Sequence, residues 1–336
     1  MAEKALPKHT KAAWNDRLAS PPYNLSLILD KLQPWEEDPH SGIWSLTWAG
    51  NRRGGKGQWL LFLASKTKPD DQGYAPRFFP EKFRQHWVQR SKTLVESRPH
   101  IRRKMIAVQR HIVGLGSQTT LETTITLDRC SGLPYIPGSA QKGLARSIAL
   151  YKLAEKWKVP GLPTPNAGDL SPLEALNKLL ETQKEKLELS FNRLREAMQQ
   201  HGVDLQALPT DMSILYKDAE FLLFRRVFGC GDNAGEVIFY DAPPANNPQM
   251  AVEIMNPHFP KYYEKKSFPT DNQNPIPVPY LVVEKGSAFW FAVGARIPSG
   301  AILLQTAWAW LSDGLLRLGI GAKTSSGMGI FREPVK

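Results

Sequence analysis

The first hundred residues are rich in tryptophan and irregular, but two segments within them predict a β-hairpin. Large apolar side chains occupy every second position at Trp44, Leu46 and Trp48, as in a half-buried strand. The segment GQWLLFLAS, residues 57–65, predicts the partner strand, and NRRGGKG between the two segments predicts the turn.

A helix and a basic strand are predicted next. EKFRQHWVQRSKTLVES, residues 81–97, has helical spacing, with Phe83, Trp87 and Leu94 expected to face inward. RPHIRRKMIAVQRHIVGLGS interleaves arginines and lysine with apolar residues, which favours a strand with one basic edge over a solvated charge run. TTLETTITLD, residues 119–128, predicts a further strand.

The middle of the chain carries two helical patterns. Ser139 is a candidate N-cap for a helix that reaches about residue 157, with Leu144, Ile148, Tyr151 and Ala154 on one face. A second helix begins with a capping box of Ser171 and Glu174, and Pro172 stands at its first position.

A long apolar stripe continues this second pattern. Leu187, Phe191, Leu194 and Met198 recur at helical spacing, and a stripe of this kind must be buried against its own domain or a neighbouring subunit. We expect its own domain to be the main partner. We predict two parts of the chain: an N-terminal extension at residues 1–100, and a domain at 101–336 that contains a helical insertion at about 168–201.

The C-terminal third predicts a hairpin, a helix and a loop. PYLVVE and AFWFAVGAR flank the turn KGS and predict paired strands. The last helix carries an apolar stripe of Leu304, Trp308, Leu311 and Leu315. The pattern as a whole indicates an α+β fold.

Composition narrows the function. The chain has 336 residues, of which 42% are hydrophobic, and no run of apolar residues reaches the ~18 that a membrane span needs. The N-terminus has no apolar core, so we expect no secretory signal. Two cysteines, Cys130 and Cys230, argue against a disulfide scaffold or a cysteine zinc site and fit a reducing cytoplasm.

The charge points to a polyanionic partner. Lysine and arginine number 43 against 32 acidic residues, a net charge of +11. This favours nucleic acid ahead of anionic lipid, and a basic protein without such a partner is the alternative.

The segment GIGAKTSSGMGIF, residues 319–331, is the first candidate site. It is not a Walker A motif, because Ala322 stands before Lys323 where glycine is required, and Thr324 breaks the dinucleotide fingerprint. Glycines let a main chain approach a nucleic-acid backbone, while lysine and hydroxyl groups contact phosphate. The candidate RNA contacts here are Gly319, Gly321, Lys323, Thr324, Ser325, Ser326 and Gly327; a flexible connection is the alternative.

Two further stretches are candidate RNA contacts. Lys142 and Arg146 share a helix face beside the positive N-terminus near Ser139, although an ordinary polar helix face would look the same. The residues Arg110, His111, Gly114 and Gly116 form the other stretch.

Catalytic and metal chemistry have weak support. His111 is the one candidate general base, and a lone histidine is more often structural or a phosphate contact. Asp241 is more readily a cap or turn residue than a metal ligand, and no histidines stand at ligand spacing. We predict no catalytic residue, no metal and no cofactor.

Several motifs resemble one known family. HIVGLGSQTTLETTITLD, GLPYIPGSAQKGLARS, FGCGDNAGEVIFYDAPP, MNPHFPKYY and GIGAKTSSGMGIF are similar in order and wording to RAMP proteins of type III CRISPR effectors, and most of all to the sixth-subunit family of the type III-B (Cmr) complex. The resemblance covers about residues 108–331. The first hundred residues and the helical insertion have no counterpart in it.

The resemblance implies a fold and a role. It implies a ferredoxin-like βαββαβ core and a non-catalytic, cytoplasmic subunit that binds guide RNA, target RNA and other Cmr backbone subunits at the 3′ part of the guide. Two alternatives remain open. One is a metal-independent, guide-processing endoribonuclease with His111 as base and Lys323 as transition-state cation. The other is the equivalent cap of a Csm complex.

Overall fold

The computed structural model describes residues 24–31, 35–37, 44–46, 55–68, 81–117, 121, 123–161, 170–256, 268 and 277–334. The helices are α1 (Leu25–Lys31), α2 (Gly55–Ser65), α3 (Glu81–Glu96), α4 (Gly138–Lys156), α5 (Pro172–Glu181), α6 (Leu187–Gln200), α7 (Met212–Leu215), α8 (Ala219–Phe228) and α9 (Leu304–Arg317). Short 3-10 turns lie at Lys184–Lys186, Pro298–Leu303 and Thr324–Ser326. The strands are β1 (Trp35–Glu37), β2 (Trp44–Leu46), β3 (His100–Ala107), β4 (Gly229–Cys230), β5 (Asn233–Ala234), β6 (Val237–Phe239), β7 (Met250–Met255), β8 (Val278–Val283), β9 (Ala288–Ala295) and β10 (Phe331–Arg332).

A four-stranded antiparallel sheet organises the chain, in the order β10-β3-β9-β6. Its inner face contributes Met105, Phe289 and Phe331, which are fully buried. Helices α4 and α9 pack together on this side, because Gly314 of α9 lets the side chain of Leu144 approach closely. The mixture of helices and antiparallel sheets agrees with the predicted α+β class.

The helical pair α5–α6 confirms its sequence signals. The Ser171 hydroxyl accepts the Glu174 N–H at 3.3 Å, and the Glu174 carboxylate accepts the Ser171 N–H at 3.0 Å. The apolar stripe of α6 is buried in the chain's own core, with Phe191 only 2% exposed. The stripe of α9 is buried as well.

The predicted N-terminal hairpin is wrong in its second strand. Residues 57–65 lie in α2, not in a strand. The side chains buried at helical spacing are Trp59, Leu60, Leu63 and Ala64, and α2 packs against β7 and β8. A short apolar run fits a strand or a helix equally well, and here its packing against the rest of the chain selects the helix. Strand β2 exists, but its partner is β1. Trp48 and the predicted turn through residue 54 lie outside the described residues.

Two other strand predictions are also wrong. Within residues 119–128, those that are described form no strand and contribute one isolated bridge, Leu127 with Pro134. The strands β8 and β9 do not pair with each other: β8 pairs with β7, whereas β9 lies between β3 and β6. The turn at residues 284–287 is therefore a corner between two sheets, and sequence proximity did not decide the pairing.

Two helix faces differ from the prediction. Helix α3 forms where expected, but Phe83 and Leu94 are 53% and 58% exposed, while Val95 is buried. In α4, Tyr151 is exposed. In both helices the side chains that are buried cover a narrower strip of the helix surface than the apolar residues of the sequence do. The remaining apolar side chains therefore face solvent.

The start of α4 is capped from another element. Ser139 is not the N-cap; Pro137 occupies that position, and the side-chain Oδ1 of Asp241 accepts the Gly138 N–H at 2.7 Å. A Cβ atom at Gly138 would lie 2.1 Å from the carbonyl oxygen of Phe239. The β6 end and the helix start are thus in backbone contact.

Gly138→Ala is expected to lower the free energy of unfolding by about 1–3 kcal/mol, because the added methyl group meets backbone that must move. Gly143→Ala in the same helix is the control. No atom lies within 4 Å of its added Cβ, so it should instead raise stability by about 0.5–1 kcal/mol. Chemical denaturation measures both variants, and equal midpoints would contradict the close approach.

No helix among the described residues is long and apolar enough to cross a membrane.

Candidate nucleic-acid interface

The fold brings two of the predicted RNA-contact stretches together. The glycine-rich loop, defined as residues 319–329, lies alongside the chain that continues β3. The N–H of Gly329 donates to the carbonyl of Arg110 at 2.9 Å, and the N–H of Ala322 donates to that of Ile112 at 2.8 Å. The loop is therefore a hydrogen-bonded structure and not merely a flexible connection.

Two glycines of the loop are required by close backbone contact. Gly321 has φ +102°, and a Cβ there would lie 2.1 Å from the carbonyl oxygen of Ile112. Gly319 has φ +78° and would meet the carbonyl oxygen of Met328 at 2.5 Å. These two glycines are needed because the loop packs closely against its own backbone and that of Ile112. An RNA backbone therefore cannot approach them on the packed side of the loop.

The outer part of the loop is accessible and positive. We call residues 323–327 the loop tip. Ser325, Ser326 and Gly327 are exposed, and no described residue forms an ion pair with Lys323. Lys323 adopts the left-handed conformation with φ +60°, which costs free energy in a residue with a side chain and is often retained at functional positions.

A polar groove of about 310 Å³ adjoins the loop tip. Gln109, Arg110, Glu253, Glu284, Lys285, Ser326, Gly327 and Met328 line it. Arg110 was a predicted RNA contact, but carboxylates occupy its guanidinium: Nε and Nη2 donate to Glu284 at 3.0 and 2.9 Å, and Nη1 donates to Glu253. These bonds lower the pKa of Glu284, so its negative charge persists and cancels that of Arg110.

His111 is a core residue. It is 2% exposed, and its ring packs edge-on against Phe289 and Phe331, with centroids 5.2 and 5.0 Å away. Burial lowers the pKa of His111 to about 3, and Nδ1 has no hydrogen-bond partner. The prediction of a phosphate contact is wrong here, because the imidazole is neutral and out of reach of RNA.

The two glycines beyond His111 have different surroundings. Gly114 has φ +85°, and a Cβ there would lie 2.3 Å from the Thr126 hydroxyl oxygen. Gly116 is exposed, with open space around it. Of this predicted stretch, Gly116 alone faces solvent without a packing constraint.

The Ser139–Arg146 stretch is only partly available. Arg146 donates to Asn177 and Glu181 of α5, both at 2.7 Å, so it holds the helical pair against α4 instead of lying on a free solvent face. Ser139 is exposed. Lys142 is half-buried, and burial lowers its pKa, with Arg296 and then Arg146 adding to the effect.

Arg296 is a cation near Lys142 that the sequence analysis missed. It follows β9 and donates through Nε to the carbonyl of Gly235 at 2.9 Å. Its place directly after a predicted strand was a usable signal. The Lys142 stretch begins beside β6, whereas the glycine-rich loop leads into β10, so the two clusters lie at opposite edges of the sheet.

The described residues contain no group of three or more histidine, cysteine or acidic side chains placed to hold a metal ion. Asp241 serves as the cap of α4.

The glycine-rich loop thus precedes the last strand of the antiparallel sheet, in a chain whose class is shown by its sequence. A sequence model of the RAMP superfamily matches residues 78–332, more than half of the chain, and the chain belongs to that superfamily. The CRISPR system Cmr subunit Cmr6 of Pyrococcus furiosus is 33% identical over 237 residues, which cover 67% of this chain and 66% of that protein.

Two solved structures are also similar. The crystal structure of Cmr6 from Pyrococcus furiosus matches with a TM-score of 0.41 and 30% identity, over 70% of this chain and 98% of that one. A cryo-EM structure of the type III-B Cmr-beta complex bound to cognate target RNA contains a chain that matches with a TM-score of 0.47 and 16% identity, over 87% of this chain and 78% of that chain.

Proposed function

We propose that this chain is a non-catalytic RNA-binding subunit of a type III-B (Cmr) CRISPR effector in the cytoplasm. In that role it caps the backbone at the 3′ part of the guide RNA and helps to hold the guide–target duplex, in contact with other Cmr subunits. Membership of the RAMP superfamily and the 33% identity to a Cmr subunit support the assignment to such a complex.

The exposed loop tip is the observation that carries RNA binding. Its lysine is held in a costly backbone conformation, next to three residues with hydroxyl side chains. A basic chain of +11 adds a long-range attraction for a polyanion. These groups suit phosphate contacts, which position RNA without reading its sequence.

The strand order supports a ferredoxin-like core as part of this proposal. Along the chain the elements run β3, α4, β6, β9, α9 and β10, which is a βαββαβ succession, and the first strand lies in the interior of the sheet next to the last. Both helices pack on the same side.

The burial of His111 supports the non-catalytic part of the proposal. A general base must come within hydrogen-bond reach of the proton that it removes, and this imidazole lies between Phe289 and Phe331 with a pKa lowered to about 3. The endoribonuclease alternative thereby loses the base on which it depended.

Lys323→Ala is expected to weaken binding of a single-stranded RNA and to reduce the salt slope of the binding constant by about 0.7, the loss of one phosphate contact. Lys158→Ala is the matched control, because Lys158 is the other lysine with positive φ among the described residues and is exposed at the far end of α4. Fluorescence anisotropy titrations at several salt concentrations measure both.

Two results would contradict the proposal. Equal affinities and slopes for the two variants would remove the loop tip from the RNA site. The titrated RNA, analysed afterwards on a denaturing gel without metal ions, should remain intact, and cleavage at a defined position would favour the endoribonuclease.

A further inference from the structure

The outer face of the central sheet carries a cluster of cations around one tryptophan. Arg102 and Lys104 are two residues apart on β3 and therefore point to the same side. Lys104 lies directly opposite Trp290 of β9, and Arg332 of β10 lies opposite Ile106 of β3. Since paired residues share a face, all four side chains belong to one surface. We call Arg102, Lys104, Trp290 and Arg332 the outer-face cluster.

This surface differs sharply from the other side of the same strands. The inner side is covered by α4 and α9 and buries Met105, Phe291 and Phe331. On the outer side, Lys104 and Arg332 are exposed and Trp290 is half-buried. The neighbours of Trp290 on β9 along this side, Ala288 and Ala292, are buried, and α3 contacts both β3 and β9.

Arg102 and Trp290 form a cation–π pair. The guanidinium carbon of Arg102 lies 3.9 Å from the centroid of the indole ring. Burial lowers the pKa of Arg102, and its Nη2 has no hydrogen-bond partner among the described residues. Glu96 opposes this effect from α3, where it pairs with Lys92 at 3.8 Å. The guanidinium is thus partly buried against the indole, with its Nη2 shielded from solvent.

The cations of this cluster also lack the carboxylate partners that other arginines have. Arg110, Arg146 and Arg226 are each bound by glutamate. In the part of the chain that the structure describes, Lys104 and Arg332 form no ion pair and no side-chain hydrogen bond. A surface with two unpaired cations, Lys104 and Arg332, attracts a polyanion, whereas the glycine-rich loop adjoins a groove whose arginine is already neutralised.

We propose that the outer-face cluster is a second RNA-binding surface of this chain, specific for single-stranded RNA. Lys104 and Arg332 contact phosphates, and an unpaired base packs against the solvent-facing part of the pair that Arg102 forms with Trp290. The ligand class rests on the proposed function, whereas the location does not involve the loop tip. An acidic surface of a partner protein is the competing occupant, but the half-buried aromatic ring of Trp290 among the cations favours a base.

The test compares two double variants of the full chain. Lys104→Glu with Arg332→Glu should lower the affinity for a single-stranded oligonucleotide by at least about tenfold and reduce the salt slope by about 1.4, two phosphate contacts of about 0.7 each. Lys184→Glu with Lys186→Glu makes the same charge change at two exposed lysines of the 3-10 turn before α6. Thermal melting verifies that both proteins are folded.

A third variant isolates the cation–π pair. Arg102→Lys keeps the positive charge but removes the planar guanidinium group. It should therefore lower the affinity for RNA while leaving the salt slope unchanged. It should also weaken any preference of the wild type for oligo(A) over oligo(U). This variant still tests the inference if the double variant does not fold.

The outcomes separate the two proposals. If the wild type binds no RNA, both proposals fail. If Lys323→Ala weakens binding but the outer-face variants match the Lys184/Lys186 control, this inference alone is overturned. If the outer-face variants keep RNA binding but no longer co-purify with the other subunits of the complex, the face is a protein interface and the inference is also overturned.

Discussion

Phe191→Ala is expected to lower the free energy of unfolding by about 3–5 kcal/mol. The side chain is 2% exposed and lies in the interface of α6 with α5, together with Leu194 and Met198, so truncation leaves a cavity that the helical pair fills poorly. Chemical denaturation of the isolated chain measures the loss.

Leu189→Ala is the matched control for this result. Leu189 is on the same helix but 54% exposed, so its truncation should change stability by less than about 0.5 kcal/mol. If Phe191→Ala instead has the same free energy of unfolding as the wild type but the complex fails to assemble, the main role of the stripe is as an interface between subunits.

The pH dependence of stability is expected to carry the signature of His111. The imidazole has a pKa of about 3 in the folded chain, against the ordinary value of 6.5. The unfolded chain therefore binds an extra proton below pH 6.5, and stability is full above that pH and falls as the pH drops towards 3. Between pH 7 and pH 5 the free energy of unfolding should fall by about 2 kcal/mol, because each pH unit below 6.5 lowers it by about 1.4 kcal/mol.

This window separates the histidine from the acidic residues. Carboxylates such as Glu284, whose pKa is lowered by Arg110, affect stability only at more acidic pH. His111→Phe should remove most of the slope between pH 7 and pH 5, since it removes the buried imidazole whose pKa is lowered. His86→Phe on the exposed side of α3 is the control and should retain the slope. A wild-type curve that is flat over this window would show that His111 reaches water.

Local signals predicted several elements correctly because a few neighbouring residues decide them. The capping box of Ser171 and Glu174 is satisfied within one turn, and its hydrogen bonds form as the motif requires. The stripe on α9 is long enough for its period to be unambiguous. In contrast, residues 57–65 are a short apolar run that fits a strand or a helix, and only packing against β7 and β8 decided for the helix.

The candidate site shows the same division. The glycines, Lys323 and the hydroxyl residues of the loop could be recognised from their types alone, and the exposure of Ser325, Ser326 and Gly327 agrees with that interpretation. Charge did not predict availability: Arg110 and Arg146 looked equivalent to Lys323, but Glu284 and Glu181 occupy them from distant positions in the chain. His111 was a candidate RNA contact and the one candidate general base, and its burial could not be predicted because it depends on Phe289 and Phe331, far along the sequence.

By itself the sequence determined the α+β class, the basic character, the helical pair and the glycine-rich loop, since composition and short-range periodicity contain these features. Only the tertiary structure decided which strands pair, which cations remain free and which side of the sheet carries Arg102, Lys104, Trp290 and Arg332. The physical reason is that antiparallel register joins residues almost two hundred positions apart, as Lys104 and Trp290 are, and no local pattern records such a contact.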